Sequence, residues 1–423
     1  VSLGSLNEIV VVGGGLAAVA AVETLRHEGF DGAIRLVSDE RELPYDRPPL
    51  SKSLLRGDVK FSDILLHDEA WYRDQRVDLE LGSRMVALDT KGGAVSTQAG
   101  KRFRYDKLLV AIGGRARTWD AVPASGTATA RYLRSRGDAE HIKESVRKGS
   151  RVVLLGGGVI GLETAATLSQ AGCEVTVLEA TDRIMARFFP SPLSAVLREI
   201  HTSRGAVVRT GAVVRGCRST EFGWTIQLDG DETLTADFLV IGIGMVPNSE
   251  LIADAGLPLR LQGVEVDAFG QTAAAGVYAV GDVATFPTSS GTWARWENWT
   301  HARLHAAVAA RHMIGIENSG YAEIPWVWSD QYEFNIQVNG SPAADDVVVR
   351  GNMDQGRLTA FHFRGDRLVG ATTINDAKHK SAIRRLIQHA PWVSRGQLAD
   401  KSVDLKQLAI ELSRDAAPTG PPS

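Results

Sequence analysis

Gly13, Gly15 and Ala18 stand in the pattern Gly-x-Gly-x-x-Ala, directly behind the β-branched run at Val10 to Val12 and ahead of Ala21, Val22 and Leu25. In that spacing the first glycine permits a tight turn, the second lets backbone approach a pyrophosphate, and the small third residue lets helix and strand pack closely. The diphosphate then meets the positive end of the helix. A second strand, Ala33 to Ser38, delivers Asp39 and Glu40, slightly farther along than a ribose-binding acid usually stands. The layout repeats over Arg151 to Glu179, where Gly156-x-Gly158-x-x-Gly161 follows a buried strand and Glu179 closes the next one. Two such units imply two dinucleotides, which points to a flavoprotein reduced by a nicotinamide rather than to a simple dehydrogenase.

The rest of the composition narrows the class. A chain of 423 residues needs two or three domains, and 44% hydrophobic with 23% charged residues is a globular balance. A net charge of −3 argues against general nucleic-acid affinity. No apolar run has the length of a membrane span, and the first residues, VSLGSLNE, lack a basic n-region and an apolar h-region, so a cytoplasmic home is the default expectation. Cys173 and Cys217 form no local pair, which disfavours disulfide reduction and leaves too few ligands for a cysteine-held cluster or zinc. No isolated apolar helix face calls for a second copy.

The elements that must position these turns follow in order. After the first βαβ unit, PYDRPPLSK (Pro44 to Lys52) reads as a fixed loop, because its prolines forbid a regular helix. A helix near Glu69 to Gln75 and strands at Val77 to Leu81 and Ala94 to Gln98 precede YDKLLVAIGGRAR, a buried strand ending in a glycine turn at a domain edge. The second unit is followed by a helix at Ser191 to Ser203, strands at Val207 to Arg209, Trp224 to Leu228 and Phe238 to Gly242, and a return through IGIGMVPN. Val277 to Phe286 reads as a strand stopping at Gly281-Asp282, and a helix starting near Asn298 runs to Met313. From about Ser319 short strands dominate (Asn335 to Val338, Asp346 to Arg350, Leu358 to Arg364, Arg367 to Thr373), with one amphipathic helix at Lys380 to Gln388. The fold class is therefore α/β: two Rossmann-like dinucleotide-binding domains plus a small α+β C-terminal domain. The boundaries expected are 1–117 with 246–319, 118–245, 320–415, and a disordered tail at 416–423.

With both fingerprints, PYDRPPLSK, GGGVIGLE, IGIGMVPN, VYAVGDV and PWVWSDQY in one order, the chain resembles the FAD-dependent pyridine nucleotide oxidoreductases. Within them it is similar to the ferredoxin reductase components of aromatic-ring dioxygenase and haem monooxygenase systems, up to about Leu412. The resemblance implies an FAD domain interrupted by an NAD domain, with NADH as electron donor. It puts Gly13, Gly15 and Ala17 on the FAD diphosphate and Asp39 on the adenosine ribose. Arg47, Lys52 and Arg134 fall by the phosphates or ring edge, Met85 by the adenine and Asp282 by the ribityl chain. Glu297, Trp299 and Trp328 would meet the flavin region. Gly156, Gly158, Ile160, Gly161, Glu163, Glu179 and Gly244 would serve NAD. Two positions depart from the pattern: Ile112 replaces a common threonine and His301 a frequent asparagine.

Hydride transfer needs alignment and charge rather than a protein nucleophile. The expectation is that Lys52 and Glu163 pair across the domain junction, the lysine favouring negative charge on the reduced flavin and the glutamate limiting where the nicotinamide amide sits. Read without the family, Lys52 is equally a solvated loop charge, Asp282 a helix cap, Trp328 a core residue and Glu163 a helix-dipole acid. Glu179 predicts NADH over NADPH, because a carboxylate accepts from ribose hydroxyls and repels a 2′-phosphate, although Arg183 and Arg187 stand close in sequence. The partner implied is a [2Fe-2S] ferredoxin, and indirectly a terminal oxygenase, with Arg295, Arg303, Lys380, Arg384 and Arg385 as docking candidates. The competing readings are a reductase of rubredoxin, a quinone or ascorbyl radical, and a flavin-bearing interaction protein akin to apoptosis-inducing factor.

Overall fold

The structure is a computed structural model, and it describes residues 6–122, 130–289, 291–353 and 356–414. The tail at 416–423, expected to be disordered, lies outside the described residues. The chain falls into two compact units: residues 1–47, 59–115 and 245–323 form one, and residues 48–58, 116–244 and 324–423 the other.

The first unit is built on a five-stranded sheet with the order Val277–Ala279, Lys107–Val110, Glu8–Val12, Ala33–Val37, Val77–Glu80, every pairing parallel. Glu8–Val12 is apolar on both faces because both are covered. Ile9 and Val11 pack with the helices Leu16–His27 and Trp299–Met313, while Val10 and Val12 pack with Val264, Val283 and Phe286. Alanines at 17, 18, 21, 306, 309 and 310 are buried and let the two helices and the sheet come close. From Glu8–Val12 the chain runs outward through Ala33–Val37 and Val77–Glu80 and then returns to add Lys107–Val110 on the other side. The strand order therefore reverses at Glu8–Val12, and its C-terminal end is a topological switch point, where nucleotides bind in such sheets.

The second unit repeats the plan. Its parallel sheet runs Val207–Arg209, Glu174–Leu178, Arg151–Leu155, Phe238–Ile241, Ala130–Tyr132, and again the strand before the glycine turn lies inside the order. The same unit holds a five-stranded antiparallel sheet made of Trp326–Gln331, Phe334–Gly340, Arg367–Ile374, Arg357–Arg364 and Asp346–Asn352. One face of that sheet, through Phe361, Phe363 and Leu368, packs on helices Lys380–His389 and Leu405–Arg414. The other face, through Phe334, Ile336, Val338 and Ala360, joins the core of Leu162, Leu168, Val177 and Leu197. The observed architecture is thus the expected one of two Rossmann-like folds plus a C-terminal α+β portion.

Several elements differ from the sequence reading. The strand that begins at Val277 stops at the turn Gly281–Val283, as read, but the chain then resumes as a further strand, Ala284–Pro287, that the reading did not separate. Gly281 has φ +71°, and a Cβ there would press on Ala17 and Ala302 at 3.3 and 3.7 Å, so the first turns of both helices meet at this glycine. Trp326–Gln331, Val214–Thr220 and Leu405–Arg414 are regular elements that the sequence reading left unassigned.

Candidate functional site

In the first unit the glycine turn is shaped as the fingerprint predicts. Gly13 has φ +133° and donates its N–H to Val37 O at 2.8 Å, and a Cβ on it would collide with the Ala111 carbonyl. Gly15 caps helix Leu16–His27, and no atom lies within 4 Å of where its Cβ would be. Free space before unsatisfied helix N–H groups suits a diphosphate, so these residues fit FAD. Asp39 stands exposed after the second strand, whereas Glu40 beside it accepts from the Tyr45 hydroxyl and the Arg47 guanidinium, each at 2.5 Å. Burial works against the Arg47 charge, but Tyr45, Glu40 and Asp282 outweigh it and hold its pKa above the ordinary value. Arg47 and Asp282 are thereby in one electrostatic neighbourhood. Trp299 donates its indole N–H to Asp46 at 2.8 Å, Glu297 accepts from Arg295 at 2.7 Å, and Met85 is buried at the start of strand Met85–Asp89.

His301, the departure from the family's asparagine, is fully enclosed. Its Nδ1 lies 2.9 Å from the Tyr321 hydroxyl and its ring stacks on Phe286 with centroids 4.9 Å apart. Burial, with His305 beside it, keeps its pKa well below the usual imidazole range, so the ring is neutral. Ile112 contributes its carbonyl, which accepts from Asn248 Nδ2 at 3.0 Å.

The second unit carries the second cradle. Gly156 has φ +105°, Gly158 caps helix Val159–Gln170 with open space ahead, and a Cβ on Gly161 would strike the Gly156 carbonyl. This open turn fits NAD as the first fits FAD. Glu179 accepts from Gly157 N–H at 2.7 Å, Thr181 N–H at 2.7 Å and Thr181 Oγ1 at 2.8 Å, which fixes its carboxylate beside the glycine turn. Arg183 pairs with Asp182 at 3.3 Å and lines a cleft of about 440 Å³ together with Ser191, Arg198 and Thr210. Ile160 is exposed on the first turn of the helix, and Gly244 accepts from Arg117 N–H at 2.9 Å.

The same unit contains the charge pair. Lys52 Nζ lies 3.2 Å from Glu163 Oε1 and 3.3 Å from Asp330 Oδ2, and the Lys52 and Glu163 side chains are 11% and 3% exposed. Glu163 also accepts from Ser51 Oγ at 2.5 Å and Ser329 Oγ at 2.8 Å. Burial pushes its carboxyl pKa up, opposed by Lys52 and the two serines. The pair therefore forms, with one correction to the expectation. It does not cross between the two compact units, because residues 48–58 leave the first unit and pack with the second. Glu163 is no exposed helix-dipole acid, and Lys52 is no solvated loop charge. Trp328 lies under Lys52 with the ammonium 5.6 Å from the ring, stacked 5.0 Å from Trp326, over which Lys380 sits at 3.1 Å. Arg134, also in this unit, donates its backbone N–H to Asp138 at 3.1 Å.

Of the docking candidates, Arg295 is spent internally: its side chain is 13% exposed and donates to Glu297, Asp282 O and Leu261 O. Arg303 is half-exposed and faces Glu23 at 3.4 Å. Arg384 and Arg385 lie on helix Lys380–His389. Sequence reasoning missed Ser51, Ser329 and Asp330, although all lie in quoted motifs. It named Glu40 only beside Asp39 and gave it no role.

Comparison with known proteins identifies the family. Residues 7–306 match the family described as pyridine nucleotide-disulphide oxidoreductase, and residues 326–409 match a reductase C-terminal domain. The chain is 38% identical to the ferredoxin--NAD(+) reductase component of the anthranilate 1,2-dioxygenase system of Burkholderia cepacia, covering 95% of this chain and 99% of that one. It is 35% identical to putidaredoxin reductase of Pseudomonas putida, covering 95% and 96%. The crystal structure of a covalent putidaredoxin reductase–putidaredoxin complex superposes with a TM-score of 0.91 at 33% identity, covering 97% and 100%. With a family model spanning most of its length, this chain belongs to the pyridine nucleotide-disulphide oxidoreductase family.

Proposed function

We propose that the chain is the NADH-dependent reductase of a [2Fe-2S] ferredoxin that feeds a terminal oxygenase. The observation that carries the reading is the pair of open glycine turns, one in each compact unit, each ending a parallel strand at a switch point. FAD, when bound, accepts a hydride from NADH and releases the electrons singly. Gly13, Gly15 and Ala17 present helix N–H groups to the FAD diphosphate, Asp39 takes the ribose, Met85 serves the adenine, and Arg47, Arg134 and Asp282 serve the phosphates and ribityl chain. Glu297, Trp299 and Trp328 serve the flavin ring. Gly156, Gly158, Ile160, Gly161 and Gly244 cradle NAD, and Glu179 accepts from its ribose. Lys52 supplies positive charge for the reduced state, and Glu163 orients both Lys52 and the nicotinamide amide. We take 1–117 with 246–319 as the FAD domain, apart from residues 48–58, which pack with the second unit, 118–245 as the NAD domain and 320–415 as the C-terminal domain.

Cys173 and Cys217 are both free, and Cys173 is buried, which supports a single-electron outlet over disulfide reduction. Among the described residues no helix is long and apolar enough to cross a membrane. We place the protein in the cytoplasm, where NADH is supplied and thiols stay reduced. The test is NADH-driven cytochrome c reduction by the FAD-loaded protein with and without a [2Fe-2S] ferredoxin. A large ferredoxin-dependent rate is expected. Equal rates with a quinone or rubredoxin alone, or slow turnover without acceptor dependence, overturn the reading.

A further inference from the structure

The hydrogen bonds at Glu163 do not stop at its serines. Ser329 Oγ, 2.8 Å from Glu163 Oε1, accepts from Gln331 Nε2 at 2.9 Å, and Gln331 Oε1 faces His201 Nε2 at 2.8 Å. His201 Nδ1 faces the Tyr332 hydroxyl at 3.3 Å. Ser329, Gln331 and His201 are all buried.

The direction of every bond in this run is forced by valence. An amide oxygen only accepts, so His201 carries its proton on Nε2, and Nδ1 is left to accept from Tyr332. An amide nitrogen only donates, so the Ser329 oxygen accepts from Gln331 and its own proton points to Glu163. Burial, with Arg204 nearby, brings the His201 pKa down to about 4, against the opposing pull of Gln331, so the ring is neutral. Reversing the run would turn a serine lone pair on a carboxylate oxygen, which only a protonated Glu163 tolerates. The turn that holds Tyr332 is itself strained. Gln331 pairs with Phe334, leaving a two-residue connection in which Tyr332 has φ +55°, a region that bulky residues rarely adopt.

We infer that Tyr332, His201, Gln331 and Ser329 act as one polarised array of donors that holds the buried Glu163 carboxylate ionised and paired with Lys52. They are positioning residues, acting through Glu163. The charged groups facing the array are Lys52, which also meets Asp330, and Arg204, which pairs with Glu333. The consequence for hydride transfer rests on the proposed function, whereas the charge state of Glu163 does not.

The test uses FAD-loaded protein with carboxyl-¹³C glutamate, the Glu163 resonance being assigned by its loss in Glu163→Gln. Gln331→Leu and His201→Phe do not touch Glu163 but release the Ser329 hydroxyl from its fixed direction. Each is expected to raise the Glu163 titration midpoint, at most by the roughly one pH unit that losing the Ser329 bond itself would give. His201→Gln, which keeps an N–H at similar reach, restores most of the shift. A change of less than about 0.3 unit in both variants overturns the array. The native protein gives a check free of folding effects: ¹⁵N spectra must show His201 protonated on Nε2 at neutral pH, and an Nδ1–H tautomer overturns the proposal. An unshifted midpoint with normal ferredoxin reduction sinks the array alone, and a shifted midpoint without ferredoxin reduction sinks the proposed function alone.

Discussion

Replacing Lys52 by methionine removes the cation that compensates Glu163 while keeping the length of the stem. At 3.2 Å, and with an effective dielectric of about 20, the gross attraction of the pair is about 5 kcal/mol. Desolvation of both ions offsets much of that, but deleting one partner strands the other, which typically costs about 3–5 kcal/mol. Glu163 escapes part of the cost by taking up a proton, so the loss depends on pH. Its pKa is already raised by burial and rises further without Lys52. A carboxyl whose folded pKa lies above its unfolded value binds more protons folded, so its contribution is fully present at low pH and declines as pH rises through the folded pKa. The K52M penalty is therefore expected to be small near pH 5 and near its full value, about 3 kcal/mol, at pH 8. At about 2 °C per kcal/mol the melting temperature at pH 8 falls by roughly 6 °C. The assay is thermal unfolding of the FAD-loaded protein at both pH values, with E163Q and the double variant completing the cycle. The double variant should recover most of the loss, because neither charge is then stranded. A K52M penalty equal at pH 5 and pH 8, or no recovery in the double variant, refutes the reasoning.

Other outcomes test the remaining parts of the site. G13A forces a side chain onto the Ala111 carbonyl at a φ of +133°, so the purified protein should be colourless or insoluble, read by the flavin absorbance. E179A frees Gly157 and Thr181 from their shared acceptor and should lower kcat/KM for NADH about tenfold or more while raising the NADPH-to-NADH ratio, measured by steady-state kinetics with ferricyanide. W328A should leave NADH-driven flavin reduction within about threefold in stopped flow but slow ferredoxin-linked cytochrome c reduction about tenfold.

The two cradles were legible because their chemistry is local: each needs glycines at fixed spacing behind a buried strand, and spacing survives in one dimension. Glu163 was legible as a position but not as a buried ion, since its partners arrive from residues 51, 52 and 329. Ser329 and Gln331 sit at alternate positions of a strand with Trp326 and Trp328, which could have been read as a paired strand edge. His201 gave no signal at all, being one polar residue at the end of an amphipathic helix whose neighbours Leu197 and Ile200 explain it as core. Asp39 was given the ribose role by the family resemblance, with Glu40 noted only as its neighbour, and the structure gives Glu40 the contacts to Tyr45 and Arg47. The stop at Gly281 was legible from its glycine, but the further strand Ala284–Pro287 was not, because the turn that sets it apart is shaped by two helices far apart in the chain.

The alternation of residues 1–47, 48–58, 59–115, 116–244, 245–323 and 324–423 between two units, six segments and hence five passages, bears on how the chain matures. On the ribosome the opening βαβ hairpin emerges without its edge strand Val277–Ala279, and the glycine turn at Gly13 without the helix at Trp299–Met313 that closes beside it. The first nucleotide pocket therefore cannot be finished from its amino-terminal half alone, whereas the second parallel sheet is drawn from one continuous stretch, residues 130–241. Loading with the yellow cofactor is thus a late event, since the unit that carries Gly13 is complete only once residue 323 has been made.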